Sequence, residues 1–204
     1  MVSWDKFNTI ALWMLKVGYL NLIWILFTCI GVVVFGFFPA TGAMFSIVRK
    51  WYKKENDFRI FPAFWKIYKK EFFKLNGFAV LFTIVGYVLY YDFTFLQINS
   101  GKLSFLFPVL VLILIAYVIT LLFFFPVYIH FELKFFQYIK QAFLIAVTSP
   151  VETLSIALSF VALYFIVTLI PGIIPLFTGN VLAVVSTWIS NRAFRRIKIR
   201  KSIR

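Results

Sequence analysis

Few residues in this 204-residue chain could do chemistry, and they are scattered. His130 and Glu132 hold the components of an acid–base pair, but positions i and i+2 of a helix point apart, which favours polar anchors at the end of an apolar run. The single histidine and the single cysteine, Cys29, lie about a hundred residues apart, a poor basis for a zinc site, and one cysteine cannot form an intramolecular disulfide. A glycine-rich phosphate loop ending in Lys-Ser/Thr is absent, so the chain does not power transport by itself. Asp92 closes an uncharged run and reads as an interfacial acid; facing inward, it would become a site candidate. Ser149-Pro150-Val151-Glu152 matches a capping box with proline at the first helical position, which assigns Glu152 to a helix start. The expectation is a non-enzymatic protein with no catalytic residue, cofactor or metal.

The binding candidates are cationic. Arg49 to Lys74 carries nine Lys/Arg against Glu55, Asp57 and Glu71, and within it Arg49, Lys50, Lys66, Lys69 and Lys70 stand beside aromatic residues. His130, Glu132 and Lys134 join them as candidates for contact with a partner or with lipid. The chain is 63% hydrophobic and 22% aromatic with net charge +14, and its mean hydropathy is +0.95. That composition belongs to an integral membrane protein. The charge suits anionic lipid headgroups, and nucleic acid is not an expected partner.

These residues need helices to position them. The apolar spacing of Trp4, Phe7, Ile10, Ala11 and Met14 predicts an amphipathic interfacial helix over 2–15. Asp5 and the length of the following apolar run argue against a cleavable signal. Val17 to Val48 is uncharged and about 48 Å long as a helix, more than one crossing of a roughly 30 Å core. Dividing it at Gly36–Pro39 gives a span over 17–38 and a second, interfacial helix over 40–52, with Pro39 as the breaker. A further interfacial helix is expected over 62–74, with Phe61, Phe64, Trp65, Tyr68 and Phe72 on one face and lysines on the other. Spans follow over 75–92 and 103–129, separated by the turn Asn99-Ser100-Gly101-Lys102, with Pro126 bending the second. An amphipathic segment over 130–147 leads to spans over 151–170 and 176–191, joined at Pro171, Gly172 and Pro175, and then to a basic tail over 192–204.

The expected fold is therefore all-α: one polytopic membrane helical bundle of about five transmembrane helices with amphipathic interfacial helices. Basic segments stay with the cytoplasm, so the C-terminus is expected inside and, with five spans, the N-terminus outside. Lys6 and Lys16 oppose that last assignment. Phe37-Phe38-Pro39 and Phe124-Phe125-Pro126 form an echo that either marks a parallel repeat or arises by chance among 28 phenylalanines.

The run Gly36-Phe37-Phe38-Pro39-Ala40-Thr41-Gly42-Ala43-Met44, with Val48-Arg49-Lys50-Trp51, Phe64-Trp65-Lys66 and Tyr68-Lys69-Lys70-Glu71-Phe72, resembles the YesL family of small bacterial membrane proteins. Phe125-Pro126-Val127-Tyr128, His130 to Lys134, Tyr138 to Phe143 and Pro171 to Pro175 are similar to the same family. The resemblance covers nearly the whole chain and implies the cell membrane of a bacterium. It also implies an accessory role in carbohydrate uptake beside an ABC-type importer for oligosaccharides, and it carries over no catalytic residues. Pro39, Thr41, Gly42, Pro126, Ser149, Pro150, Glu152, Pro171 and Gly172 are structural candidates. Two alternatives stay open: a small transporter or channel, alone or as a homo-oligomer, and a lipid-interacting protein.

Overall fold

The computed structural model describes residues 2–55, 57–99, 104–170, 172 and 174–202. These residues form seven α helices and no strand. They are α1 (Val2–Ile30), α2 (Val34–Tyr52), α3 (Ile60–Ile98), α4 (Phe107–His130), α5 (Phe135–Thr148), α6 (Pro150–Leu169) and α7 (Ile174–Ser202), with a 3₁₀ turn at Ser104–Leu106. Four are long and apolar enough to cross a membrane: Phe7–Ile30, Ile60–Ile98, Phe107–His130 and Pro150–Leu169. The protein is a multi-pass helical membrane protein.

The first 52 residues depart from the expected layout. No separate helix covers 2–15, because α1 runs unbroken to Ile30. The break that follows lies at residues 31–33, not at Gly36–Pro39. Val32 and Val33 take φ of 56° and 59°, a left-handed conformation that β-branched residues rarely adopt, and Pro39 sits inside α2. Two glycines explain the position. A β-carbon on Gly31 would collide with the backbone of Gly36, and one on Gly36 with the carbonyl of Thr28, so this pair alone lets the chain reverse so tightly. With the turn there, α2 folds back along α1. The indole N–H of Trp24 donates to Thr41 Oγ1 at 3.1 Å, and Trp13 shares a surface hollow with Val48, Trp51 and Tyr52.

The second departure is α3. The interfacial helix expected over 62–74 and the span over 75–92 are one helix of 39 residues, about 58 Å long. Lysines on one face do not end a helix, no second proline follows Pro62 before Ile98, and Gly77 and Gly86 sit inside the helix without breaking it. Farther along, α4 and α6 match the expected spans over 103–129 and 151–170. Four residues, 131–134, are not helical, so the amphipathic helix begins at Phe135 and not at 130. The span expected over 176–191 and the tail belong together to α7, which continues to Ser202. α7 is not among the four long apolar helices. It packs against α1 and α2 and buries Asn180, Ser186, Thr187 and Ser190.

Without a water-driven hydrophobic effect between helices, close packing relies on small residues. α2 buries Gly36, Ala40 and Ala43 along one stripe, and α7 buries Ala183, Ser186, Ser190 and Ala193. The carboxamide of Asn180 donates to the carbonyl of Val17, tying α7 to α1. Two apolar clusters result. One gathers Leu20, Met44, Ile47, Phe64 and Tyr68, the other Phe78, Phe123, Phe124, Tyr128 and Tyr138, and Phe125 and Ile129 pack against both. The two Phe-Phe-Pro sequences are not equivalent positions: Pro39 lies near the start of α2 and Pro126 near the end of α4. Their phenylalanines instead meet, Phe38 lying 6.4 Å from Phe124 and 5.5 Å from Phe125 by ring centroids.

One end of the bundle collects the charge. Trp13, Tyr52 and Trp188 lie together there, so the N-terminal part of α1, the end of α2 and the C-terminal part of α7 share that end.

Candidate functional site

The charged end contains a cleft of about 880 Å³ between α2, α3 and the α4–α5 connection. Its volume is in the range of small-ligand sites. Five cations line it, Arg49, Lys50, Lys53, Lys70 and Lys74, against three carboxylates, Glu55, Glu71 and Glu132.

Each wall has a local cause. Arg49 ends α2 and reaches across to the end of α4, donating to the carbonyl of Ile129 and, through Nη2 at 3.5 Å, to that of His130. The last carbonyls of a helix lack intrahelical partners and carry partial negative charge, so a guanidinium is a fitting cap. Lys50 lies over the Phe58 ring at 4.9 Å. Lys74, on α3, sits over two tyrosine rings, 5.0 Å from Tyr128 and 4.7 Å from Tyr138, and donates to the Tyr138 hydroxyl at 3.4 Å. That hydroxyl also accepts the Leu133 N–H at 3.1 Å, which holds the 131–134 connection over the cleft. Tyr128 donates to Glu71 Oε2 at 2.5 Å, and Lys70 stands 3.8 Å from the other oxygen of Glu71. The cations are thus held mainly by ring faces and carbonyls. Only one carboxylate comes within ion-pair distance of any of them among the described residues.

The expected candidates divide between two faces. Arg49, Lys50, Lys70 and Glu132 line the cleft; Lys66 and Lys69 are exposed and outside it, Lys69 over the Trp65 ring at 5.1 Å. His130 ends α4 with its ring 4.4 Å from Phe194, on the side of α7, while Glu132 lines the cleft, so the two border different hollows. Lys134 precedes α5 and donates its backbone N–H to Gln137 Oε1 at 3.2 Å. Sequence reasoning missed Lys53, Glu71, Lys74, Tyr128 and Tyr138 as cleft residues. The first three stood in the basic segment, whereas nothing in the spacing of the two tyrosines announces that they flank Lys74.

The structural candidates fare unequally. Thr41 and Gly42 are buried, and Gly42 admits the Leu75 side chain. Pro126 is buried within α4. Pro150 does open α6, but Ser149 makes no side-chain cap bond. Glu152 lies in the first turn of α6 as expected, and the residue, 5% exposed, pairs its carboxylate with Arg196 at 2.8 Å, across the α6–α7 contact. A buried carboxylate takes a guanidinium over a helix terminus because the ion pair offsets its desolvation. Asp92 is partly exposed. Gly172 is exposed in open space, and Pro171 lies outside the described residues, as do residues 100–102 of the expected turn. Among the described residues no group of three or more His, Cys, Asp or Glu could hold a metal ion.

Comparison with known proteins agrees with the family resemblance. The family model described as "Protein of unknown function, DUF624" matches residues 17–93. Three uncharacterised proteins of Bacillus subtilis (strain 168) are similar over most of the chain. YesV is 35% identical over 89% of this chain and 88% of its own length. YesL is 32% identical over 95% and 92%, and YteU 32% over 84% and 77%. No solved structure matches. With relatives this similar over most of both chains, the protein belongs to the DUF624 family of YesL-type membrane proteins.

Proposed function

We propose that this membrane protein is a non-enzymatic accessory component of carbohydrate uptake, joined to an ABC-type importer through its basic end. The importer comes from the family resemblance. The surface comes from one observation: Lys66, Lys69 and Lys70 are exposed on a helix that continues without a break into the membrane. A rigid cationic row presents fixed charges to an acidic surface without the ordering cost of a flexible loop. The non-enzymatic part of the reading draws on Glu71 and Glu152, acids already engaged by Tyr128 and Arg196. Lipid headgroups are a second partner of the same end.

The test is co-purification in mild detergent. Importer subunits accompany the native chain, and Lys66→Glu, Lys69→Glu and Lys70→Glu together release them. Unchanged recovery of the subunits by the triple variant removes this surface from the interaction.

The same reading places both termini in the cytoplasm. Trp13 lies beside Tyr52 and Trp188, and an inside N-terminus leaves 20 of the 21 Lys/Arg on one side, Lys102 excepted. Tags on the two ends should both be shielded from protease added to intact cells. Digestion of the N-terminal tag alone refutes the placement.

A further inference from the structure

We infer that the cleft at the charged end is a binding site for a phosphate monoester group. The first reason is charge. Five cations against three carboxylates leave an excess of two positive charges in a concave space, matching the charge of about −1.5 to −2 that a phosphate monoester carries at neutral pH. The second is the state of those cations. Lys74 is held by the Tyr128 and Tyr138 rings and Lys50 by the Phe58 ring, while Lys53 lines the cleft as an exposed residue. Ring faces fix an ammonium group without neutralising it, so its N–H donors stay available for charge-assisted bonds to phosphate oxygens. The third is size and completeness. About 880 Å³ accommodates a phosphate together with the organic group it esterifies, and Glu55 and Glu132 offer acceptors for hydroxyls on that group. Arg49 contributes positive potential while its guanidinium caps α4, which makes it a poor residue to mutate.

The chemistry is shared by two sources, a soluble phosphate ester and a lipid headgroup such as that of phosphatidic acid. The full chain in neutral detergent is titrated with glycerol 3-phosphate by calorimetry, and in phosphatidylcholine nanodiscs with and without phosphatidic acid it is assayed for retained lipid by native mass spectrometry. Saturable binding in either arm is expected and identifies the source. Lys53→Gln with Lys74→Gln should weaken it about tenfold or more, through the loss of two charge-assisted contacts. Lys66→Gln with Lys69→Gln, outside the cleft, should leave it unchanged. Should the Lys74 change unfold the protein, Lys53→Gln alone at its exposed position should still weaken binding severalfold. Failure of both ligands to bind, or equal weakening by the two lysine pairs, overturns the inference. Lys70 belongs to both surfaces, but Lys66 and Lys69 lie outside the cleft, so the Lys66→Gln and Lys69→Gln pair separates failure of the importer proposal from failure of this one.

Discussion

The bundle contains two hollows of opposite character, and α2 and α4 wall both. One is the basic cleft; the other is an apolar cavity of about 580 Å³ nearer the middle of the bundle, lined by Trp24, Phe37, Phe82, Leu121 and Phe160 among others. On α2, Phe45 faces the cavity and Arg49 the cleft; on α4, Phe125 and Ile129 divide in the same way. Phe45 and Phe125 stack at 5.4 Å. A single helical turn therefore separates an environment that holds five cations from one that holds none. The polar groups behave differently as well. In the cleft they bridge between elements, Arg49 to α4 and Tyr128 to Glu71. In the cavity Thr41 also bonds its own helix, donating to the Phe37 carbonyl at 2.7 Å while accepting from Trp24. Apolar surroundings penalise any polar atom left without a partner, and Thr41 meets that demand by donating and accepting at once.

The largest effect should come from breaking both hollows together. Gly36→Ala places a β-carbon against the Thr28 carbonyl, backbone that cannot yield, and unseats the helix that walls both. A cost of about 3 kcal/mol or more is expected, seen as aggregation or a large fall in Tm in detergent. A folded variant with an unchanged Tm would mean that the hairpin has slack. A small effect should sharpen the contrast. Ser186, 1% exposed, lines the apolar cavity with a hydroxyl that has no hydrogen-bond partner among the described residues. Ser186→Ala should therefore stabilise by about 1 kcal/mol and raise Tm by about 2–4 °C, leaving the cleft's ligand binding as it was. A lower Tm would show that the hydroxyl is engaged.

Much of the architecture was legible in the residues. Uncharged runs gave α4 and α6, and Pro150 marked the start of a helix, because these signals are local. The hairpin was not legible. Its turn uses Val32 and Val33 in a conformation that valine disfavours, and the glycines responsible act on each other across the turn. Pro39 looked like the breaker because a proline removes one N–H, yet it lies in the second turn of α2 and the helix continues through it, as membrane helices allow. Glu152 does stand at a helix start, but its ion pair was not legible because its partner, Arg196, is 44 residues away on another helix. At the candidate site, the cations stood out by composition. Their sorting into cleft and outer face depends on how α3 rotates against α2 and α4, and no single helix encodes that.

The unbroken course of α3 makes it a lever. Leu75, against Gly42, is a natural fulcrum, and Lys66 lies about 14 Å from it along the axis. A change of tilt of about 20°, within the range found for membrane helices, swings that lysine by about 5 Å. Phe64 and Tyr68 are buried on that same arm, so a swing of the lysine would have to carry the packing against α1 and α2 with it.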